Sequence, residues 1–276
     1  MSDDQPLVSI IIPSLNSEQT IDRCLSSIKD QTYGNIETLL IDKRSIDRTV
    51  DIAEKYGIRI FIVDVKERCD QLNIGVNESK GKYIYRVDSD FVLEPGVVEE
   101  AVKLCESGYD GVCVHNTSDD SISFWAKVRK LERDCYRDDE MNVAARFFSR
   151  DAFMKIGGFD PTLVAGEDYD IHNRLVASGY KIGRIGSVEV HLGEPKNLAE
   201  IIRKHYYYGK TLGAFIDKNE SGAYRQLSPL RPAFVRHWRD FAHHPILSVG
   251  FVVYQVTRYT SSLAGYLVVN MRPEKP

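Results

Sequence analysis

The sequence lacks most of the short motifs that identify a chemistry on their own. Its five cysteines are scattered, without a CxxC pair, which argues against a zinc knuckle or a redox dithiol and fits a reducing compartment. There is no GxGxxG stretch, and no serine or cysteine stands in a nucleophile elbow. Gly209-Lys210-Thr211 matches the end of a P-loop, but Lys204 stands where its first glycine is required. Internal repeats and low-complexity segments are also missing, so we expect an ordinary globular chain.

Two other features are missing, a secretory signal and a basic surface over the whole chain. The N-terminal MSDDQPLVSIII has acidic residues where a signal peptide is basic, and its apolar run ends at Pro13, so we expect a cytoplasmic protein.

The net charge of -4 divides into -11 over residues 1–195 and +7 over residues 196–276. An acidic body with a basic tail is unlike a nucleic-acid binder. It suits a tail that meets an anionic surface such as a membrane leaflet, with chance surface charge as the alternative.

Short β-branched runs alternate with helical patterns through the first half of the chain. The predicted strands span residues 7–12, 37–41, 59–63, 82–87 and 110–115. Such alternation favours an α/β fold with a mostly parallel sheet and helices on both faces. Ligands of these sheets bind beyond the carboxyl ends of the strands. The candidate site therefore consists of the polar segments that follow the strands, residues 14–18, 42–45, 64–70 and 88–90.

The sharpest chemical signal is the pair Asp88 and Asp90 at the end of the fourth predicted strand. Residues i and i+2 of a strand point the same way, so both carboxylates can bind one divalent cation, Mg²⁺ or Mn²⁺. Such an ion would bridge a diphosphate and neutralise the charge of a departing nucleotide. The pair alone does not decide this, because an Asp-x-Asp also occurs as a solvated strand end or a helix cap.

Two weaker signals follow further along the chain. Glu167 and Asp168 open a predicted helix after the stretch GGFD, and one of them is a candidate general base. The alternative is a carboxylate that merely faces the positive helix end. His191 ends a predicted strand and is a candidate imidazole ligand for the same cation, or a common surface or core histidine.

In this order, the segments resemble the GT-A glycosyltransferases of family 2 over roughly residues 7–215. The matching stretches are VSIIIPSLN (8–16), RSIDRT (44–49), QLNIGVNESKGKYIYRVDSD (71–90) and GGFDPTLVAGEDYDIHNRL (157–175). The resemblance implies a Rossmann-like catalytic domain over residues 1–215 and a C-terminal helical segment over residues 216–276. It also implies a metal-dependent, inverting transfer of a sugar from UDP or GDP.

The resemblance further implies contacts to the donor. Pro13, Ser14 and Glu18 would lie along the nucleotide. Asp42 would hydrogen-bond the base or the ribose, and Arg68 is a further expected nucleotide contact.

The same resemblance implies the metal and the catalytic groups. Asp90 and His191 would bind Mn²⁺ or Mg²⁺, with Asp88 as a ligand, as a contact of a metal-bound water or as a contact of the ribose. Asp168 would be the general base, and Glu167 would help to bind the acceptor.

One stretch departs from the family pattern. After the second predicted strand, Lys43 and Arg44 stand where the family usually has acidic or amide residues. These two cations would touch a diphosphate or indicate a different recognition of the base, so the identity of the nucleotide stays open.

The last part of the chain is basic and aromatic, and then apolar. The largely apolar stretch 246–269 is long enough to span a bilayer. However, Gln255, Arg258 and Ser262 fall at spacings of three and four and form one polar stripe on a helix. A central arginine in a bilayer costs about 2.5–3.5 kcal/mol. We therefore expect an interfacial helix on the cytoplasmic face of a membrane, with internal or dimer packing or a true span as the alternatives.

These observations predict a glycosyltransferase whose acceptor is a lipid-linked glycan or a polyprenyl phosphate. One alternative is a nucleotidyltransferase, but that class usually needs a basic, glycine-rich loop where this chain has SLNSE. The other is a non-catalytic relic that binds nucleotide sugar or acts as a scaffold, which only Lys43 and Arg44 favour.

Overall fold

The computed structural model describes residues 5–139, 143–213, 215–218 and 227–270. The described strands are β1 (Val8–Ser14), β2 (Ile36–Asp42), β3 (Arg59–Ile62), β4 (Tyr83–Arg86), β5 (Phe91–Leu93), β6 (Gly111–Ser118), β7 (Ala145–Ser149) and β8 (Ile182–His191). The described helices are α1 (Ile21–Lys29), α2 (Thr49–Glu54), α3 (Arg68–Glu78), α4 (Val97–Glu106), α5 (Phe124–Asp134), α6 (Arg150–Lys155), α7 (Glu167–Ala177), α8 (Leu198–Gly209), α9 (Pro232–Arg236), α10 (Trp238–His243) and α11 (Pro245–Asn270).

The strands form one mixed sheet in the order β3-β2-β1-β4-β7-β6-β8-β5. The first four run parallel, as the alternation of strands and helices predicts. Beyond β4, the pairs β4–β7, β7–β6 and β8–β5 are antiparallel. The predicted α/β sheet flanked by helices is confirmed, but the row of parallel pairs that begins at β3 is interrupted after β4, because β7 enters beside β4 in the opposite direction.

Strand β1 and helix α1 contribute side chains to the same hydrophobic core. All seven residues of β1 are buried, as expected for an inner strand of a covered parallel sheet. Helix α1 buries the face that the spacing of three and four predicts, which consists of Ile21, Cys24, Leu25 and Ile28. The polar turn between the two elements is thereby held at the carboxyl end of β1, where such sheets bind ligands.

The charged, helical pattern of residues 117–142 predicts a longer helix than the structure has. Helix α5 begins after Ser123, whose hydroxyl accepts a hydrogen bond from the backbone of the first helical turn. Before it, Asp119 accepts a hydrogen bond from the backbone of Ser121 and forms a turn. Side-chain capping and turn formation therefore delay the start of the helix. Residues 140–142 of that prediction lie outside the described residues.

The chain divides into two compact units. The first comprises Met1–Asn116, Ala144–Pro161 and Glu167–Gly193, and the second comprises Thr117–Val143, Thr162–Gly166 and Glu194–Pro276. In the second unit α11 packs on α8 and α5, so the predicted boundary at residue 215 lies inside this unit. A distinct role for residues 216–276 remains a prediction.

Helix α11 turns the predicted polar stripe toward its own unit. Arg258 pairs with Glu132 of α5 at 3.0 Å, and the hydroxyl of Ser262 donates to the carbonyl oxygen of His205 at 3.2 Å. Gln255 is also buried. Within the described ranges, no helix is both long enough and apolar enough to cross a bilayer.

Candidate active site

A cleft of about 490 Å³ lies where β1 and β4 end. Its wall is formed by Pro13, Leu15, Asn16, Ser17, Gln19, Thr20, Arg68, Asp88, Ser89, Asp90 and Gly193. Three of the four polar segments predicted to form the site therefore meet here, at the place expected for a ligand of such a sheet. Of the predicted nucleotide contacts, Pro13, Arg68 and Asp88 line this cleft.

Asp42 ends β2 and joins that strand to the end of β1. It is fully buried, and its carboxylate accepts hydrogen bonds from the hydroxyl groups of Ser14 at 2.7 Å and Ser45 at 2.6 Å. The Ser45 hydroxyl in turn accepts from the backbone N–H of Asn16 at 2.8 Å. Neither Asp42 nor Ser14 lines the cleft. These hydrogen bonds fasten the turns after β1 and β2 together, and the contacts of Asp42 and Ser14 with a nucleotide remain predictions.

Glu18, Lys43 and Arg44 also lie outside the cleft wall. The exposed Glu18 accepts a hydrogen bond from the backbone N–H just before α2. The ammonium group of Lys43 donates to the carbonyl oxygen of Lys66 at 2.5 Å, and Arg44 pairs with Asp64 at 3.3 Å. Both cations thus contact the segment that follows β3. They would have to break these contacts to bind a diphosphate.

Three guanidinium groups surround the carboxylate of Asp88. Arg68 contacts its Oδ1 at 3.2 Å, while Arg86 and Arg146 contact its Oδ2 at 3.3 and 3.0 Å. Burial opposes the ionisation of this carboxyl group, but the three cations outweigh it and hold the pKa of Asp88 well below its usual value. Asp88 is therefore an anion at neutral pH.

Arg86, Arg146 and Glu189 are site residues that the sequence analysis does not single out. All three are buried. Arg146 pairs with Glu189 at 2.7 Å, and Tyr85 donates a hydrogen bond to Glu189 at 2.8 Å. Burial raises the pKa of Glu189 by more than the neighbouring Arg146 lowers it. The available signal was a charged residue inside an apolar strand, as in YIYRV, ARFF and SVEV, because such charges are buried only with partners.

Asp90 and His191 meet side chain to side chain, as predicted for neighbours in one site. Oδ2 of Asp90 and Nε2 of His191 are 3.1 Å apart. The register of β5 and β8 pairs Phe91 with His191, and their rings pack with centroids 4.9 Å apart. A Cβ atom at Gly193 would overlap the Asp90 carboxylate. A larger residue at position 193 would therefore displace the Asp90 carboxylate from this position.

The three predicted metal ligands, Asp88, Asp90 and His191, differ in their contacts, and their role as ligands remains a prediction. The part of the chain that the structure describes contains no group of three His, Cys, Asp or Glu side chains arranged to hold a metal ion, and Asp88 contacts three guanidinium groups. Asp90 and His191 offer a carboxylate oxygen and an imidazole nitrogen within 3.1 Å of each other. Two protein ligands of this kind fit Mn²⁺ or Mg²⁺, which take further ligands from substrate phosphates and water.

Glu167 and Asp168 begin α7, as the sequence predicts. Glu167 is buried and forms ion pairs with Arg68 and, at 3.4 Å, with Arg86. Asp168 is partly buried, and its Oδ1 accepts a hydrogen bond from the backbone N–H of Tyr169 at 2.9 Å. The structure thus links Glu167 to Asp88 through Arg68. Asp168 does not line the cleft, and its role as the general base stays a prediction.

A family model described as Glycosyl transferase family 2 matches residues 9–157, more than half of the chain. The chain belongs to glycosyl transferase family 2. The resemblance and the enzyme class predicted from the sequence are confirmed at the level of the family. The match includes Asp88 and Asp90 and ends before Glu167, Asp168 and His191, so the roles of these last three remain predictions.

Relatives of this family 2 chain match it over part of their length. An uncharacterized glycosyltransferase from Haemophilus influenzae is 39% identical over 107 residues, which are 37% of this chain and 33% of that protein. A chondroitin synthase from Pasteurella multocida is 35% identical over 185 residues, which are 63% of this chain and 19% of that protein. The chain thus spans about a third or less of the length of these curated relatives.

Solved structures show the same fold. The mannosyltransferase PcManGT from Pyrobaculum calidifontis, in complex with GDP-Man and Mn²⁺, superposes with a TM-score of 0.62 at 16% identity. The match covers 99% of this chain and 89% of that one. At this identity the likeness establishes the GT-A fold of the family 2 chain, and it agrees with the fold that the sequence predicts.

Proposed function

We propose that this family 2 chain transfers a sugar from UDP or GDP to a hydroxyl or phosphate group of a lipid-linked acceptor, with inversion at the anomeric carbon. The observation that supports this most is the cleft in which Asp90 approaches His191 to 3.1 Å, next to the anionic Asp88. A protein of the same fold holds GDP-Man and Mn²⁺, which agrees with this class of donor and with a divalent cation.

The donor would be bound at the end of β1 and β4. Asp90 and His191 would hold Mn²⁺ or Mg²⁺, which, when bound, neutralises negative charge on a departing nucleoside diphosphate. Asp88 stays anionic and would accept hydrogen bonds from the ribose or from a water on the metal. Ser17 and Asn16 of the turn after β1 line the cleft, so they would position the nucleotide.

The acceptor would be activated from α7. Asp168 would take the proton of an attacking hydroxyl group, and Glu167 would help to orient the acceptor. The acceptor oxygen would attack the anomeric carbon opposite the nucleoside diphosphate. The bond to the acceptor then forms as the bond to the diphosphate breaks, so the configuration inverts.

The second unit has an exposed apolar face that fits a membrane surface. The exposed side chains of α11 are largely apolar and include Val249, Val252, Val253, Val256, Leu263 and Leu267. Trp238, Arg236 and Arg239 are exposed in the two short helices just before α11. Apolar, aromatic and cationic side chains in one segment are typical of helices at an anionic membrane interface. We propose that this face, called the α11 face below, docks on the cytoplasmic leaflet, from which a lipid-linked acceptor is taken.

Flotation with vesicles tests the α11 face. We expect the protein to float with vesicles of phosphatidylcholine and phosphatidylglycerol, and less with phosphatidylcholine alone. The double variant Val252→Ser/Val256→Ser should lower the partition coefficient about tenfold or more, because each half-exposed valine contributes roughly 1 kcal/mol of apolar transfer. Ile62→Ser is a matched control, since Ile62 is 56% exposed and Val252 is 59% exposed. Equal flotation of the double variant and wild type would rule out this face as the docking surface.

Nucleotide release tests the proposed reaction. The protein is incubated with UDP-, GDP- and dTDP-sugars, with and without Mn²⁺, and the free nucleoside diphosphate is measured. We expect slow release from one donor class, with water as the acceptor, and loss of release when a chelator removes the metal. Binding of a donor without release would instead indicate a non-catalytic nucleotide-sugar-binding protein, and binding of none of them would contradict the proposal.

A further inference from the structure

Arg68 differs from the other two guanidinium groups at Asp88 in its exposure. Its side chain is 41% exposed and lines the cleft, whereas the side chains of Arg86 and Arg146 are 3% and 6% exposed. Arg146 is further fixed by Glu189 and by the ring of Phe91, 4.7 Å from its guanidinium carbon. Only Arg68 of these three can therefore move without disturbing the core.

The site can lose the contacts that Arg68 makes with Asp88 and Glu167. Among the hydrogen bonds described above, Oδ1 of Asp88 is contacted by Arg68, while Oδ2 is contacted by both Arg86 and Arg146. Glu167 likewise pairs with Arg86 as well as with Arg68. If Arg68 left, Asp88 would keep its contacts with Arg86 and Arg146, and Glu167 would keep its ion pair with Arg86. Neither carboxylate would become an unpaired charge, so that large cost would be avoided. Oδ1 of Asp88 and the carboxylate of Glu167 would each gain an open position.

A nucleoside diphosphate offers Arg68 a better partner. Guanidinium groups bind phosphate oxygens through paired, charge-assisted hydrogen bonds. Because Arg68 lines the cleft, a diphosphate bound there would lie within its reach. The same event would give Oδ1 of Asp88 a new partner, either the ribose or water on the metal.

We propose that Arg68 is a displaceable cation that occupies Asp88 and Glu167 in the empty site and moves to the diphosphate when the donor binds. This inference rests on the proposed function, because it requires a nucleoside diphosphate in the cleft. In the donor-free protein, Arg68 competes with a divalent cation for the negative charge of the site. In the donor complex, Arg68 supports the diphosphate, and Glu167 becomes available to the acceptor.

The proposal predicts effects of opposite sign on two affinities. Arg68→Gln should bind Mn²⁺ alone more tightly than wild type, about threefold or more, because a competing positive charge is gone. The same variant should bind UDP or GDP in the presence of Mn²⁺ about tenfold more weakly, because the phosphate loses a charged donor. Mn²⁺ binding is measured by electron paramagnetic resonance of the free ion, and nucleotide binding by calorimetry. Arg68→Lys should retain part of the nucleotide affinity.

Arg59→Gln is the matched control. Arg59 is 40% exposed and pairs with Glu37 at 3.1 Å, but it does not line the cleft, so both affinities should stay at the wild-type value. If Arg68→Gln weakens both affinities, or changes neither, Arg68 is not a displaceable cation and the inference is wrong, while the proposed function stands. If wild type binds none of UDP, GDP and dTDP with Mn²⁺, the proposed function fails and the inference fails with it.

Discussion

Replacing Asp168 with Asn is expected to lower turnover by about 10²- to 10⁴-fold, which is the usual contribution of a general base. The amide has nearly the same shape as the carboxylate but cannot take a proton from a hydroxyl group or a water. Donor affinity should change by no more than about twofold, because Asp168 lies outside the cleft wall and its loss would act on the transition state. Nucleotide release and calorimetric binding of the donor measure the two quantities separately.

Asp151→Asn is the control for this variant. Asp151 is an exposed carboxylate in the first turn of α6, as Asp168 is in the first turn of α7, and its replacement should leave turnover unchanged. A turnover of Asp168→Asn close to that of wild type, with both proteins equally stable to heat, would assign the general base to another residue.

Replacing Asp90 with Asn is expected to abolish the Mn²⁺-dependent part of nucleotide binding and to lower turnover by roughly 10³-fold or more. The amide removes a negative charge at the point where Asp90 meets His191 at 3.1 Å. The donor would then lose the ion that neutralises its diphosphate. Calorimetry with UDP and GDP, with and without Mn²⁺, measures the metal-dependent part directly.

Asp51→Asn serves as the control for the Asp90 variant, because Asp51 is an exposed carboxylate on α2. It should bind nucleotide and metal as wild type does. Nucleotide binding of Asp90→Asn that still increases with Mn²⁺ as in wild type would place the cation elsewhere.

The local parts of the fold could be predicted because their signals are local. The β-branched run of β1, the apolar spacing of α1 and the alternation with β2, β3 and β4 each depend on a few consecutive residues. The same applies to Asp88 and Asp90, whose spacing of two and position after a strand are visible in the sequence. Strand β5 was not predicted, because its three residues are too few to show the alternation of apolar and polar residues that marks a strand.

The polar pairing of the site could not be predicted, because it is set by strands far apart in sequence. Arg146 reaches Asp88 because β7 pairs with β4, and it reaches Glu189 of β8 in the same sheet. Asp42 and Asp90 both lie at or just after the end of a predicted strand, but they differ in exposure. Asp42 is fully buried, whereas the side chain of Asp90 is 32% exposed. A sequence shows which carboxylates follow strands, but not which of them a second turn will cover.

The C-terminal helix shows the same limit. The spacing of Gln255, Arg258 and Ser262 predicts one polar stripe, and the helix Pro245–Asn270 has it. The direction of the stripe depends on Glu132, which is 126 residues away and pairs with Arg258. Burial raises the pKa of Glu132, but Arg129 and then Arg258 lower it by more, so its pKa lies below the usual value. The sequence of the helix alone does not show this partner. The valine side chains of this helix are consequently exposed.

The most direct test of the central claim is a crystal structure with Mn²⁺ and the nucleotide that binds best, with anomalous diffraction recorded at the manganese edge. We expect one strong anomalous peak in the cleft, within about 2.6 Å of a carboxylate oxygen of Asp90 and of Nε2 of His191, with diphosphate oxygens on the remaining sides. A peak that Asp90 and His191 do not touch, or a nucleotide bound in the cleft with no metal peak beside it, would contradict the account.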